Sequence, residues 1–229
     1  MNVPKVFRRC FEAIEGEADP DIRWYLHGRP KQISRQSFYD SAVWAVWVSG
    51  MSRKAAETFL GRAEATSPIW KKFTTFAGMD DAAFSRFVRS LHGPRAVRAR
   101  QKWDAVRKIA RQLAPLDGRS FRRDFFAGKL QSASLDASDV SALVQRKLSF
   151  IGRANSQFII RNMGGEAVKC DRWVERFLRY ADMHLADLEA RLKSAKIPLG
   201  LFDVVLWKYC EQEVGRVGQF NAQFRRLLA

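Results

Sequence analysis

The stretch VSALVQRKLSFIGRANSQFIIR, residues 140–161, predicts two short apolar helices around the connector Leu148-Ser149-Phe150-Ile151-Gly152. This pattern is typical of a helix-hairpin-helix, because a glycine at the corner lets the backbone approach an anion closely. The N–H groups and dipole at the start of the second helix favour a phosphate there, and Arg153 adds charge. A glycine between two helices is also an ordinary C-terminal cap, so this stretch alone leaves the function open.

A second motif, VKCDRWVERFLRY at residues 168–180, follows the glycine pair Gly164-Gly165. Asp171 lies nineteen residues beyond Gly152 and stands directly before a predicted helix. An aspartate in that position is a good N-cap, because its carboxylate accepts hydrogen bonds from the first free N–H groups of the helix. Local sequence therefore favours a capping role for Asp171.

In their order, the two motifs resemble the helix-hairpin-helix glycosylase superfamily, which includes endonuclease III and the adenine-mismatch and alkylbase glycosylases. The specific part covers residues 147–180 and includes an Asp-x-x-Val-x-Arg run from Asp171 to Arg176. By order of elements the resemblance extends over residues 36–215. Residues 46–56 are similar to an early helix and turn of the family, and residues 201–211 to its late helix.

The resemblance implies an all-α fold of two helical lobes, with a DNA-binding cleft between them and the hairpin and Asp171 on its rim. We expect residues 1–35 to pack on the carboxy-terminal lobe and residues 36–135 to form a lobe with a basic, DNA-facing surface. Residues 136–229 then form the lobe of the hairpin and Asp171. The expected partner is double-stranded DNA, bound by a monomer.

Apolar residues recur at helical spacing through most of the chain, and no alternating strand pattern competes with them. Glycines and prolines mark the joints between the helical runs. The predicted helices cover residues 38–48, 53–63, 80–91, 97–113, 137–148, 154–163, 172–183 and 201–214. The spacing therefore favours an all-α fold independently of the resemblance.

Asp171 is the residue that the resemblance places at the reaction centre of a monofunctional DNA glycosylase. Positive charge builds on the deoxyribose as the base departs, so a fixed carboxylate beside C1′ stabilises the transition state more than the ground state. The same carboxylate can position the attacking water. Hydrolysis of the N-glycosidic bond of a flipped base then leaves an abasic site.

The chain departs from the family pattern at the lysine that bifunctional members carry at the start of the second hairpin helix. That position falls on Ala154, and the neighbouring Arg153 and Asn155 cannot form an imine either. We therefore expect no strand cleavage. Lys147 and Lys169 lie nearby in the sequence and leave residual lyase activity as the minority alternative.

Two further departures concern metal ligands and the hairpin tip. Cys10, Cys170 and Cys210 are spaced too widely for a disulfide framework or for the iron-sulfur ligands of some relatives. The three histidines form no zinc-binding pattern. We expect no cofactor, apart from a monovalent cation that the hairpin backbone could hold. At the tip, Phe150 replaces the first glycine of the usual hairpin, as in some alkyladenine members.

Base flipping requires a wedge that fills the gap in the stack and a pocket that holds the extruded base. Trp44 and Trp47 on the early helix are the candidates, although aromatic residues at helical spacing are more often core. The resemblance favours an alkylated purine as the excised base. Oxidised purines and modified pyrimidines of the kind that phages carry stay open, and so do DNA repair and phage defence as roles. A base-sized cavity beside Asp171 would separate an enzyme from a binding module.

The charge of the chain points to a polyanionic partner, because 40 Lys and Arg against 24 Asp and Glu give a formal charge of +16. Ten of these basic residues lie between Arg95 and Arg123. A charge run is also the ordinary solvated face of a helix. The predicted DNA contacts are Ile151, Gly152, Arg153, Ala154, Arg100 and Lys102.

Neither a signal peptide nor an apolar stretch long enough to cross a bilayer is present, so the sequence predicts an intracellular protein without membrane contact. The alternative function is a non-catalytic helix-hairpin-helix module in which Asp171 only caps its helix. RNA binding is favoured less, because the chain has no aromatic-strand or loop signature for it.

Overall fold

The computed structural model describes residues 1–28, 33–92, 97–126, 137–148, 150–215 and 217–229. The regular structure in this part of the chain is helical, with fourteen α-helices and no strand. The prediction of an all-α fold is confirmed. Arg95 of the basic run, Ser149 of the hairpin connector and the predicted boundary at residues 135 and 136 lie outside the described residues.

The helices follow one another along the chain with short connections. Single π-helical turns cover residues 24–28 and 210–214, and short 3-10 turns cover residues 68–71 and 217–219. The α-helices are α1 (Val3–Ala13), α2 (Pro20–Arg23), α3 (Arg35–Val48), α4 (Arg53–Thr66), α5 (Phe73–Ala77), α6 (Asp81–His92), α7 (Val97–Leu113), α8 (Gly118–Phe126), α9 (Ala137–Lys147), α10 (Arg153–Asn162), α11 (Arg172–Ala181), α12 (Leu185–Ser194), α13 (Leu199–Tyr209) and α14 (Phe220–Leu228).

All eight predicted helical runs are confirmed. The run over residues 97–113 coincides with α7, and the others match α3, α4, α6, α9, α10, α11 and α13. Residues with short polar side chains precede several of these helices. Their side chains accept hydrogen bonds from N–H groups that lack a partner within the helix. Ser34 and Ser37 form a capping box at α3, and the Ser52 hydroxyl accepts a hydrogen bond from the Ala55 N–H at 3.2 Å at α4.

The first of two clusters of buried apolar side chains is built from residues 33–167. Trp103 of α7 is fully buried in it, and its indole N–H donates to His92 Nε2 at 2.9 Å. The rings around Trp103 belong to Trp47, Trp70, Phe76 and Phe87. Both hairpin helices, α9 and α10, bury their apolar faces in this first cluster.

The second cluster combines residues from the two ends of the chain. Residues 3–25 of α1, α2 and the following turn pack with residues 168–224 of the carboxy-terminal helices. Polar contacts add to this closure, since the Lys5 ammonium donates to the Leu228 carbonyl at 3.3 Å and Arg191 donates to the Met1 carbonyl at 2.8 Å. The first and last helices therefore belong to one packed unit.

Charged groups cross from one cluster to the other. Arg161 of α10 forms an ion pair with Asp203 of α13, and both side chains are buried. At a second point, Arg53 of α4 pairs with Asp21, and the Asp21 carboxylate also lies 2.7 Å from the Lys208 ammonium. The contact between α10 and α13 is thus charged, although apolar packing surrounds it on both sides.

Gly200, in the first turn of α13, lies against Tyr25 and Arg161. A Cβ at this position would overlap the Tyr25 hydroxyl and lie 2.9 Å from Cγ of Arg161. Only glycine leaves room for both neighbours. The first turn of α13 can therefore approach α10 closely enough for the ion pair between Arg161 and Asp203.

Candidate functional site

The predicted pair of helices around residues 148–152 is present, and polar contacts hold it in place. The Ser141 and Ser156 hydroxyl oxygens lie 2.6 Å apart between α9 and α10, and both residues are buried. Gln112 of α7 donates its amide N–H to the Lys147 carbonyl at 2.8 Å. The end of α9 is therefore attached to the basic helix α7.

The amino-terminal end of α10 faces open space. No side chain among the described residues caps this end, and a Cβ built on Gly152 would meet no atom within 4 Å. Internal packing therefore does not require a glycine at this position. Arg153, the first residue of the helix, is exposed. An uncapped helix start beside an exposed arginine is a favourable place for an anion such as a phosphate.

The other two predicted hairpin contacts are less exposed. Ala154 is half-buried on the first turn of α10, whereas Ile151 is buried in the first cluster. The Ile151 N–H donates to the Leu148 carbonyl at 3.4 Å. The Ile151 side chain therefore anchors the connector and is not presented to a ligand.

Asp171 is half-buried at the start of α11, and both of its carboxylate oxygens have partners. Oδ1 accepts hydrogen bonds from the N–H groups of Trp173 at 2.9 Å and Val174 at 3.4 Å. The capping role that local sequence favours is thereby confirmed. Oδ2 lies 3.2 Å from the Lys169 ammonium. The carboxylate is therefore fixed in orientation and held beside a cation.

The second hairpin helix also positions the segment that carries Asp171. Gln157 of α10 accepts a hydrogen bond from the Cys170 N–H at 3.0 Å through its side-chain oxygen. The Lys169 ammonium lies 5.2 Å from the ring centroid of Phe158, also on α10. Asp171 is thus set both by its own helix and by contacts of α10 with the two preceding residues.

Burial controls the ionisation of two groups near Asp171. Burial raises the pKa of Asp203 to about 6; the charges of Arg161 and Lys169 lower this pKa, and the charge of Asp171 raises it. The pKa of the Cys170 thiol is also raised, chiefly by burial and by the negative charge of Glu175, although Arg153 lowers it. The Cys170 thiol is therefore protonated near neutral pH and is a poor nucleophile.

Lys102, a predicted DNA contact, is engaged inside the protein. Its ammonium donates to the carbonyl oxygens of Val46 at 2.5 Å, Trp47 at 3.0 Å and Ser49 at 2.6 Å. These carbonyls lie at the end of α3, where they lack intrahelical donors. Burial lowers the pKa of Lys102. The side chain therefore closes the end of α3, which is a structural role.

We expect Lys102→Met to lower the free energy of unfolding by about 1–3 kcal/mol, because carbonyls at the end of α3 lose their donor. Urea unfolding measures this loss. The matched control is Arg100→Gln, since Arg100 is exposed on the same helix. We expect Arg100→Gln to keep its stability, because substitution of an exposed residue usually changes it by less than about 0.5 kcal/mol. A Lys102→Met variant with full stability would contradict the structural role.

The two tryptophans predicted as wedge or pocket candidates differ in exposure. Trp47 is fully buried between Trp103 and Phe59, with ring centroids 5.0 Å and 5.6 Å away. A wedge must reach the base stack from the protein surface. Trp47 occupies a core position, whereas Trp44 is half-buried at the edge of the first cluster.

Two surface cavities border helix α12. One, of about 430 Å³, is lined by residues 1–4 and part of α12. The other, of about 490 Å³, lies between the end of α11 and the start of α12, with Glu175 and Arg179 on its wall. Neither cavity is lined by Asp171. A base held beside this carboxylate would therefore need a space other than these two.

Sequence reasoning does not single out two residues that the structure places at the site. Gln157 shares the face of α10 that meets the Asp171 segment, and its only sequence signal is a polar residue beside the apolar run Phe158-Ile159-Ile160. Lys108 is one of the ten basic residues of the run and differs from the others in lying 5.0 Å from the ring centroid of Phe150. Its only sequence signal is a basic residue on the polar, exposed face of α7.

Comparison with known proteins adds no relative: no family model, no curated protein and no solved structure matches this chain. Among the described residues, no helix is long and apolar enough to span a membrane. No group of three or more His, Cys, Asp or Glu side chains in this same part of the chain could hold a metal ion.

Proposed function

We propose that this protein binds double-stranded DNA through the α9–α10 hairpin and hydrolyses the N-glycosidic bond of a flipped base. The observation that carries the proposal is the attachment of the Asp171 segment to α10, the helix whose open end suits a phosphate. A protein with a formal charge of +16 has the long-range attraction to a polyanion that such binding requires.

In the proposed reaction, water adds to C1′ as the C1′–N bond breaks, and the base leaves with the electrons of that bond and takes up a proton. Asp171 stabilises the positive charge on the sugar and orients the water. Lys169 holds Oδ2 of this carboxylate in the DNA-free protein. A DNA phosphate competes for the same ammonium, so DNA binding would free one face of the carboxylate for the sugar.

Asp171→Asn tests the reaction, because asparagine caps a helix as well as aspartate but carries no charge and cannot pair with Lys169. We expect base release to fall by about a hundredfold or more, while the protein stays folded and still binds duplex DNA. The assay follows free base and abasic sites on duplexes with alkylated, deaminated, oxidised or hypermodified bases. Equal release by wild type and Asp171→Asn would overturn the role of the carboxylate.

The proposed enzyme leaves the DNA strand intact, and Lys169 makes this part testable. A lysine amine that attacked C1′ would form an imine, which borohydride reduces to a permanent protein–DNA adduct. We expect no adduct on a duplex with a preformed abasic site. An adduct that disappears in Lys169→Arg would identify Lys169 as a nucleophile and would overturn the monofunctional assignment.

The proposed substrate is an alkylated purine, with an oxidised purine or a modified pyrimidine as the alternatives, and the same panel of duplexes separates the three. Release of alkylated purines places the protein in DNA repair. Release of hypermodified pyrimidines, of the kind found in phage DNA, places it in defence.

The second candidate function is a non-catalytic DNA-binding module. One observation favours it: both carboxylate oxygens of Asp171 have partners within the protein. Tight binding of duplexes without release of any base on the panel would establish this function in place of the glycosylase.

A further inference from the structure

The tip of the hairpin presents an aromatic side chain to solvent. Phe150 is 57% exposed, although large apolar residues are usually buried in a folded chain. Ile151, the next residue in the chain, is buried in the first cluster. Ile151 therefore anchors the connector in the core, and the Phe150 side chain is exposed to solvent.

The backbone at Phe150 adopts a conformation that favours glycine. Its φ of +76° lies in the left-handed region, which bulky residues rarely adopt and which stores strain. The exposed ring gains little core packing in return. Strain of this kind persists where the surrounding structure imposes it, and an observed outlier is a reason to look for a function.

A basic residue lies over the ring of Phe150. The Lys108 ammonium of α7 is 5.0 Å from the ring centroid, and Gln112, one turn further on, donates to the Lys147 carbonyl at the end of α9. The tip is therefore held against α7. Lys147 and Arg153, three residues before and three residues after Phe150 in the chain, are both exposed.

We propose that Phe150 stacks on a nucleobase that has left the base stack, while Lys108 contacts an adjacent phosphate. Exposed aromatic rings among basic residues bind unpaired bases in this way, because every base offers a π-face. This inference rests on the DNA binding of the proposed function and adds a preference for DNA that is opened at one position. It assigns the wedge or stacking role to Phe150 rather than to the buried Trp47.

The test compares two DNA molecules of the same sequence, a fully paired duplex and a duplex with one bulged nucleotide. We expect the wild type to bind the bulged duplex about tenfold more tightly, as one stacked base would provide. Phe150→Gly should lose this preference and bind the paired duplex with nearly unchanged affinity. Its thermal midpoint should not fall, because glycine accepts the left-handed conformation without strain.

Two matched variants complete the test. Phe150→Leu keeps an apolar side chain without an aromatic face, and we expect it to lose the preference for the bulged duplex. Lys108→Gln should weaken binding of both duplexes alike, reduce the salt dependence by about one contact and keep the preference. The preference should also persist in Asp171→Asn, since that carboxylate is not part of the stacking contact.

Three results would overturn the inference. Phe150→Gly could keep the preference for the bulged duplex, or it could lose affinity for both duplexes to the same degree. The wild type could also bind the two duplexes with equal affinity. These results leave the proposed function intact as long as duplex DNA is bound. Failure to bind either duplex, at low salt as well, would instead overturn the proposed function itself.

Discussion

Arg161→Met is expected to lower the free energy of unfolding by about 3–5 kcal/mol, because it leaves the Asp203 carboxylate buried without its partner. Both side chains of this pair are almost fully buried, so water cannot replace the lost guanidinium. Denaturant unfolding at several pH values measures the loss. The effect should exceed that of removing an exposed charge such as Arg100, which typically changes stability by less than about 0.5 kcal/mol.

The loss of unfolding free energy in Arg161→Met should depend on pH, because Asp203 is buried and its ionisation is costly. Burial already raises the pKa of Asp203 to about 6, and removing the positive charge of Arg161 raises this pKa further. A group whose pKa is higher in the folded than in the unfolded state stabilises the fold at pH values below the unfolded pKa. This stabilisation is lost as the pH rises through the folded-state pKa. The deficit should therefore be smallest near pH 4 and largest above pH 7.

The double variant Arg161→Met with Asp203→Leu is the control for the buried pair. Replacing both ions with apolar residues removes the unpaired charge, so most of the lost stability should return and the pH dependence should disappear. A double variant no more stable than Arg161→Met would show that packing around α10, not the charge, accounts for the loss.

Trp103→Ala is expected to cost about 3–5 kcal/mol of unfolding free energy, because it opens a cavity in the centre of the first cluster. Rings surround Trp103 at 5.0 to 6.0 Å, and its indole N–H donates to His92. Urea unfolding with the slope held in common between variants measures the difference.

Trp103→Phe separates packing from the hydrogen bond in this cluster. Phenylalanine keeps most of the aromatic volume and removes the donor to His92, so we expect a smaller loss of about 1–3 kcal/mol. Equal losses of unfolding free energy in the two Trp103 variants would show that Trp103 stabilises the fold through its hydrogen bond and not through the volume it fills.

Several of the longer helices could be predicted from sequence because they bury one apolar face, whereas α3 and α13 are apolar and buried on most sides. The α7 run from Val97 to Leu113 is the plainest case, since Trp103, Val106 and Leu113 recur at helical spacing. The predicted runs do not include α1, α2, α5, α8, α12 and α14. Two of these helices, α2 and α5, have only four and five residues, which are too few turns for a period to appear. Their existence depends on tertiary packing, which local sequence does not express.

The candidate site was only partly accessible to the same reasoning. The cap at Asp171 follows from a local pattern, so it could be predicted. Its pairing with Lys169 and the burial of Lys102 against the end of α3 depend on side-chain directions that spacing does not specify. The exposure and backbone strain of Phe150 could likewise be found only in the structure, from its φ angle and its exposed fraction. The sequence shows only that Phe150 replaces a glycine of the usual hairpin.

The closure of the second cluster by α1 has a consequence for how the chain is made. Residues 33–167 can bury their own cluster as they leave the ribosome, whereas Val3, Val6 and Cys10 of α1 find their partners on helices at the far end of the chain. At about 5–20 residues per second, roughly 200 residues of synthesis separate the two by about 10–40 seconds. For that time the apolar face of the amino-terminal helix has no partner to cover it.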